Sequence, residues 1–426
     1  MKLKTTNENY CATVIRLPVK QKVSGLDNLV NVNVYGNDVL VSKDSDENIP
    51  YLFIPVECQL SRDFLSNSSL YRDSTLNILK DKAGFFEDNG RVKALKLKGV
   101  ISTGFVIPVT SLNFLGDIEL KVGDEFNEID GVEIVRKYVN KEQAKTGEKK
   151  EKKKRDVADR FDKLVPNQFR FHTDTAQLAK HIDRININDI ILISRKIHGT
   201  SFVSSNILIK KELNWIEKIV NKFIPIVTTY YDNIYSSRKV IKNRYINKNT
   251  VDYYDVDIWG IVNQELSGKI EDGISIFGEI VGYLPSGKGI QGKYDYGCQT
   301  GEHDFYVYRM TYTKPNGQVI ELSWQQIKDY CTKYGIKHVQ EYFFGALVEF
   351  LRMNSIEKED LLNLLCEQYL EKNCYDCFTP NLPDEGIVLR VDGKEHFNAY
   401  KLKSKRFLLG ESAELDKGLE NIEDET

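Results

Sequence analysis

Three apolar runs beyond residue 190 each set a charged side chain close to a glycine. Ile191-Leu192-Ile193 leads to Lys196 with Gly199 just beyond, Ile274 to Gly278 leads to Glu279, and Glu385-Gly386 opens Ile387-Val388-Leu389. Runs of this kind read as buried strands, and charged groups are rarely set into them without a partner. A fold that satisfies this sequence must bring a lysine and two carboxylates into partly desolvated positions. Tyr400-Lys401-Leu402-Lys403 adds two lysines on one face of a further strand.

These residue types suit phosphoryl chemistry. An amine attacks phosphorus only when unprotonated, so a nucleophilic lysine needs partial burial and nearby cations. Lys196 is placed for that, and Gly199 would let the backbone approach a nucleotide closely. Carboxylates such as Glu279 and Glu385 can hold a metal or grip a ribose. Lys401 and Lys403 can fix charge on a transferring phosphoryl group, with Arg238 a further phosphate or sugar contact. Phe305-Tyr306-Val307-Tyr308 could supply a ring for purine stacking.

Composition narrows the setting. The net charge of −3 gives no global attraction to nucleic acid or anionic membranes, so a polyanion site must be local. The N-terminus lacks an apolar signal core, and no run approaches the roughly 20 apolar residues of a membrane span. The expectation is a cytoplasmic protein without membrane contact. Seven cysteines, scattered along 426 residues, read as free thiols. Cys374 and Cys377 form the closest pair and read as ordinary thiols rather than half of a zinc site.

Along the chain, the first 135 residues read as strands. These are Cys11 to Ile15, Val32 to Tyr35 and Val39 to Val41 about a Gly36-Asn37 turn, Tyr51 to Val56, and Val92 to Lys98 resuming at Gly104 to Pro108. Closure as a small barrel removes their edges. A charged stretch, Lys149 to Arg155, reads as a solvated linker or phosphate-contacting tether. Beyond it, Leu213, Ile216, Val220 and Phe223 recur at helical spacing and read as core-facing, as does a helical region from Val339 to Gln368. The last fifteen residues read as a frayed acidic tail. Gly282 to Gly289 nearly spells a P-loop, but Gly289 stands where Ser or Thr should hold magnesium, so it reads as a flexible loop near the active site.

The order Lys196-Ile197-His198-Gly199, Ser237-Arg238, Phe277-Gly278-Glu279, Phe305 to Arg309, Glu385-Gly386-Ile387-Val388 and Lys401-Leu402-Lys403 resembles motifs I, Ia, III, IIIa, IV and V of covalent nucleotidyltransferases. Lys-x-His-Gly is similar to the RNA-repair and RNA-editing ligase branch, where DNA ligases and capping enzymes carry Asp at the place of His198. Arg91 to Val109 resembles the OB domain that precedes the catalytic domain in the Naegleria and Deinococcus type of ATP-dependent RNA ligase. Together the resemblance spans about residues 10 to 410.

The resemblance implies an α+β chain: an N-terminal OB-like β-barrel (1–137), a charged linker (138–160) and a nucleotidyltransferase domain (161–426) of ATP-grasp-like antiparallel sheets plus helices. It implies ATP and Mg2+ or Mn2+ as cofactors, and RNA or RNA-containing nicked duplex with 5′-phosphate and 3′-hydroxyl ends as substrate of a monomer. Lys196 would be the adenylated nucleophile, Glu385 the main metal ligand and Glu279 a ribose or metal contact. Lys401 and Lys403 would hold the α-phosphate, Arg238 the sugar or donor phosphate, and Tyr308 or Phe305 would stack on adenine. His198 and Gly199 would border the nucleotide, His198 either as a core histidine or as a hydrogen-bonding group.

Two positions depart from the family pattern: Arg195 replaces the usual Glu before the nucleophile, and Arg309 follows Tyr308 where Asp is usual. No further domain is expected after Lys403. The alternatives are a DNA nick ligase or guanylyltransferase of the same chemistry, or an inactive nucleic-acid-binding relative.

Overall fold

The computed structural model describes residues 1–139, 163–242, 254 and 256–417. The charged stretch from Lys149 to Arg155, and nearly all of the expected linker, lie outside the described residues. Strands β1 (Ala12–Arg16), β2 (Pro50–Pro55) and β3 (Gly104–Pro108) join Glu125–Phe126 in a four-stranded antiparallel sheet with β2 and β1 at its centre. Alternation along β2 feeds two cores. Leu52 and Ile54 pack with Phe64, Leu112 and Phe126, whereas Tyr51 and Phe53 pack with Val32, Val34, Val39 and Val41. Among the described residues, the N-terminal strands pair into this sheet and several smaller ones, not into one closed ring.

Two local expectations shift here. The hairpin Leu29–Val34/Asn37–Ser42 turns on Tyr35 and Gly36, one residue earlier than expected, with Val34 opposite Asn37 and φ of 51° and 77° at the turn residues. The strand expected from Val92 shortens to Leu95–Leu97. Arg91, Val92 and Ala94 are buried instead in irregular chain, where Arg91 Nη2 donates to the Ser412 carbonyl and the Ala94 amide to Ser412 Oγ.

From residue 176 onward the chain is built around two largely antiparallel sheets. Its elements include β4 (Ile190–Lys196), β5 (Thr200–Lys210), α1 (Trp215–Val220), β6 (Thr229–Ser236), β7 (Ile274–Gly282), β8 (His303–Thr313), β9 (Glu341–Ala346), α2 (Leu347–Asn354), α3 (Leu361–Tyr369), β10 (Gly386–Val391), β11 (Asn398–Lys403) and α4 (Lys405–Asp416). One sheet runs Ala176–Gln177, β11, β10, β4, β9; the other has β6, β5, β7 and β8 in that order, with short strands at its edges. The chain passes from one sheet to the other within Ile197-His198-Gly199.

Several helical expectations change. Residues 341–346 form a strand before α2, because Tyr342, Phe343 and Phe344 suit a pleated surface and pair with β4. The segment 213–223 yields only the short α1, and Trp215, Ile216, Val220 and Phe223 are exposed where a core stripe was expected. This helix sits at the tip of the long β5/β6 hairpin, beyond the reach of the main core. The expected frayed tail is helical through Asp416, with Glu411 and Ser412 buried, and 418–426 lie outside the described residues. Cys374 and Cys377 form a disulfide, correcting the reading as free thiols.

Candidate active site

Strand register brings the charged residues together. Lys196, at the end of β4, lies opposite Gly386 of β10, and Gly386 lies opposite Lys403 of β11. Gly386 has φ of 144°, and a Cβ there would stand 2.1 Å from the Leu402 carbonyl oxygen, so this crossing accepts only glycine. Lys196 Nζ is 2.8 Å from Glu385 Oε1, and Lys403 Nζ lies 3.6 Å from the same oxygen. Glu385 is fully buried, and neither of its oxygens has a hydrogen bond of good geometry. A buried carboxylate held by charge alone leaves lone pairs for a further cation.

A cleft enclosing about 820 Å³, its mouth included, opens between the two sheets. Lys196, Arg238, Glu279, Tyr308, Lys401 and Lys403 line it. Glu279 Oε1 accepts from Ser201 Oγ at 3.0 Å. Arg238 pairs with Asp174. Burial opposes ionisation of Asp174, but Arg238 prevails and holds the carboxyl below its usual range. Tyr308 shares a 2.6 Å hydrogen bond with His172 Nδ1. Burial, then the charge on Glu279, pushes the Tyr308 hydroxyl well up, keeping it protonated.

Three expected residues stand elsewhere. Phe305 is not among the cleft-lining residues; it packs in the core edge-on to Phe202, their centroids 5.2 Å apart. The odd offset of three positions between it and Tyr308 puts the two on opposite faces of β8. His198 lies between Tyr294 and Phe407, 4.9 Å from each ring, with Nδ1 3.8 Å from Glu385 Oε2. Gly199 serves strand packing: a Cβ there would meet the Ile280 carbonyl oxygen of β7 at 2.5 Å. Its close neighbour is the second sheet.

The loop that follows β7, expected to be flexible over Gly282 to Gly289, carries further on residues that the sequence reading missed. Tyr296 Oη accepts the His198 amide at 2.7 Å, and Gln291 Nε2 donates to the Gly199 carbonyl at 2.8 Å. Both side chains are buried. The loop thus clamps the turn that follows Lys196, and among the described residues no helix begins at Gly282 to Gly289. The aromatic pair in Tyr294-Asp295-Tyr296 was the one signal available.

The two departures from the family pattern are both consumed by ion pairs. Arg195 Nε donates to Asp384 at 3.0 Å, and its Nη atoms reach Asp376 at 2.7 and 2.9 Å. Arg309 pairs with buried Glu321 and lies between the rings of Phe277 and Phe397, 4.5 and 4.4 Å from their centroids.

The arrangement of lysine, carboxylates and paired lysines between two antiparallel sheets defines a nucleotidyltransferase-type cleft. A family model described as RNA ligase matches residues 189–405, just over half of the chain, and the chain belongs to the RNA ligase family. It is an enzyme of that family. Its fold is similar to Naegleria gruberi RNA ligase mutants. One solved with ATP and Mn has 14% identity and a TM-score of 0.56 over 93% of this chain and 98% of that one. One solved with AMP and Mn has 15% identity and a TM-score of 0.55 over 93% and 97%. A mutant without ligand has 14% identity and a TM-score of 0.56 over 96% and 99%. No curated protein matches the chain in sequence.

Proposed function

We propose that the protein is an ATP-dependent RNA ligase that works through a lysyl-AMP on Lys196. The observation carrying this reading is the 2.8 Å approach of Lys196 Nζ, on the wall of a cleft that also holds Lys401 and Lys403, to buried Glu385 Oε1. Neutral Lys196 Nζ attacks the α-phosphorus of ATP; an N–P bond forms, the P–O bond to the β-phosphate breaks, and pyrophosphate leaves with that electron pair. A 5′-phosphate oxygen then displaces the lysine. Finally a 3′-hydroxyl attacks the 5′ phosphorus and AMP departs. Positioning and charge neutralisation supply most of such catalysis.

Lys401 and Lys403 hold the α-phosphate, Arg238 meets the sugar or donor phosphate, and Tyr308 stacks on adenine. Glu385 and Glu279 offer hard oxygen donors that fit Mg2+ or Mn2+, and the unbonded oxygens of Glu385 support that assignment. A divalent cation bound there would neutralise phosphate charge. Similar structures were solved with ATP or AMP and Mn, which supports a nucleotide and a divalent cation as cofactors. The N-terminal residues 1–137 act as an OB-like nucleic-acid-binding module beside a catalytic domain over 161–426, sealing 5′-phosphate to 3′-hydroxyl ends in RNA repair as a cytoplasmic monomer. Among the described residues, no helix is long and apolar enough to cross a membrane.

Incubation with α-labelled ATP, and separately GTP, in Mg2+ or Mn2+ tests the reading. Label should remain on the denatured protein with ATP and vanish in Lys196→Ala. Failure of wild type to take label from either nucleotide overturns the ligase reading, and label retained by Lys196→Ala overturns the assigned nucleophile.

A further inference from the structure

Cys374 and Cys377 are bonded to each other, and the other five cysteines are free. The bridged turn Cys374-Tyr375-Asp376-Cys377 wraps Arg195, the residue before Lys196. Arg195 Nη2 stands 3.3 Å from Cys374 Sγ, both Nη atoms reach the Asp376 carboxylate, and the guanidinium carbon lies 4.5 Å from the centre of the Tyr375 ring. The Tyr375 hydroxyl donates to Gln340 Oε1 at 2.9 Å, and the Gln340 carbonyl accepts the Arg195 amide at 2.9 Å. Just past the bridge, the Phe378 amide donates to Asp295 at 3.1 Å; the next residue, Tyr296, accepts the His198 amide. The turn is thus tied to both flanks of Lys196, upstream through Arg195 and downstream through His198.

Two sulfurs and the Asp376 carboxylate lie within 4.8 Å of one another, as in part of a metal site. Arg195 decides against that chemistry. It holds the carboxylate, and a guanidinium 3.3 Å from sulfur opposes a second cation. The same guanidinium favours a departing thiolate, which is what thiol–disulfide exchange requires. Cys374 is buried and Cys377 only half-buried, so an incoming thiol meets Cys377 first. In a reducing compartment such bridges are mostly transient and redox-sensing.

We infer that Cys374 and Cys377 form a reversible thiol–disulfide site, open to a dithiol reductant, whose bridged state holds Lys196 ready to react with ATP. This rests on the ligase reading above. A thiolate of the reductant attacks Cys377 Sγ; a mixed S–S bond forms as the bond between Cys374 and Cys377 breaks, and Cys374 leaves with the electron pair as a thiolate beside Arg195. The reductant's second thiolate then attacks the reductant's own sulfur in the mixed disulfide, and Cys377 leaves with that electron pair and takes up a proton. Two electrons pass to the protein, and the reductant ends as a disulfide. Reduction thereby puts a third anion on an arginine already shared by Asp376 and Asp384. Asp376, its side chain 26% exposed against 8% for Asp384, is the partner with water to move into. Its release loosens the turn and, with it, the strand end that carries Lys196.

Equilibrating the full chain in oxidised glutathione or in dithiothreitol, then timing the uptake of label from α-labelled ATP, tests the site. Reduced wild type should label about tenfold more slowly, within what closing a short loop contributes to order, and should recover on reoxidation. Cys377→Ser should label at the slow rate in both conditions. Cys366→Ser, which removes a half-buried free thiol, should respond as wild type does. Amide exchange read by mass spectrometry needs no catalysis: reduction should speed exchange in peptides covering 195–198 as well as in the turn.

Equal labelling rates in the two states, faster labelling after reduction, or exchange that rises in the turn alone would overturn the inference. So would failure of oxidised glutathione to join the two cysteines in non-reducing peptide maps, or a stoichiometric metal ion held on the pair in the purified protein. Absence of labelling in both states strikes the ligase reading, while the bridge and the exchange at 195–198 still report on the site.

Discussion

Arg195 Nε lies 3.0 Å from Asp384 Oδ2, with the two side chains 2% and 8% exposed, so a buried ion pair stands one residue upstream of both Lys196 and Glu385. Burial pushes the Asp384 carboxyl up against the pull of Arg195, which means that Asp384 depends on its arginine. Removing one partner of such a pair costs about 3–5 kcal/mol because the other charge stays buried. Arg195→Ala should lower stability by that order in chemical denaturation, whereas Arg195→Lys keeps a charge but not the fork and should lose less. A loss under about 1 kcal/mol in Arg195→Ala would show the pair to be dispensable.

Glu57 gives the acid side of the stability profile a specific origin. Burial would raise its pKa, but Lys403, then a hydrogen bond with Glu411, then Lys137 and Lys401 bring it down to about 2 from 4.5. A carboxylate with a depressed folded pKa stabilises the fold above its unfolded pKa, and that contribution fades as pH falls from about 4.5 toward 2. Glu57→Gln should therefore lose a few kcal/mol at neutral pH and unfold with a weaker dependence on pH between 5 and 2 than wild type. Parallel acid profiles for the two proteins would rule out Glu57 as the source.

The strands that carry chemistry were legible because an isolated charge beside glycine in an apolar run is a local signal. Lys196, Glu279, Lys401 and Lys403 line one cleft, and Glu385 lies buried behind it against Lys196. What failed to show depended on contacts distant in sequence. Tyr296 supports His198 across 98 positions, and no periodicity announces that. Phe305 and Tyr308 sit in one aromatic run, and only the pairing of β8 with its neighbours decides which ring enters the cleft. The stripe around Ile216 has helical spacing, yet spacing cannot tell whether a core lies within reach. Barrel closure in the N-terminal region likewise depends on which edges meet, which short strands do not specify.

Gly199 and Gly386 make opposite demands from those of an ordinary loop glycine. A methyl at residue 199 would be driven into the Ile280 carbonyl, and one at 386 into Leu402, each a backbone atom that cannot swing aside. Gly199→Ala and Gly386→Ala should each cost at least about 2–3 kcal/mol through strain. Each should also reduce Lys196 labelling far more than it alters the thermal midpoint, since the displaced strands carry Lys196 and Glu385. Gly116, with nothing within 4 Å of its Cβ position but φ of 89°, is the control for backbone strain alone. Full labelling in Gly199→Ala would show that the two sheets tolerate separation at this point.

Tyr308 separates the work of a ring from that of a hydroxyl. Its ring lines the cleft and its hydroxyl is tied to His172 at 2.6 Å, while His172 Nε2 lies 3.6 Å from the Asp174 that pairs with Arg238. Loss of the ring removes stacking worth about 1–3 kcal/mol, so Tyr308→Ala should raise the ATP concentration that half-saturates Lys196 labelling by about tenfold or more. Tyr308→Phe keeps the ring and should shift half-saturation by about threefold at most, the net worth of a single hydrogen bond being near 1 kcal/mol. Because Asp174 and Arg238 stand behind His172, any loss in Tyr308→Phe should resemble that in His172→Ala. Equal losses in Tyr308→Ala and Tyr308→Phe would mean that the hydroxyl chain to Arg238, and not stacking on the ring, is what Tyr308 contributes to nucleotide binding.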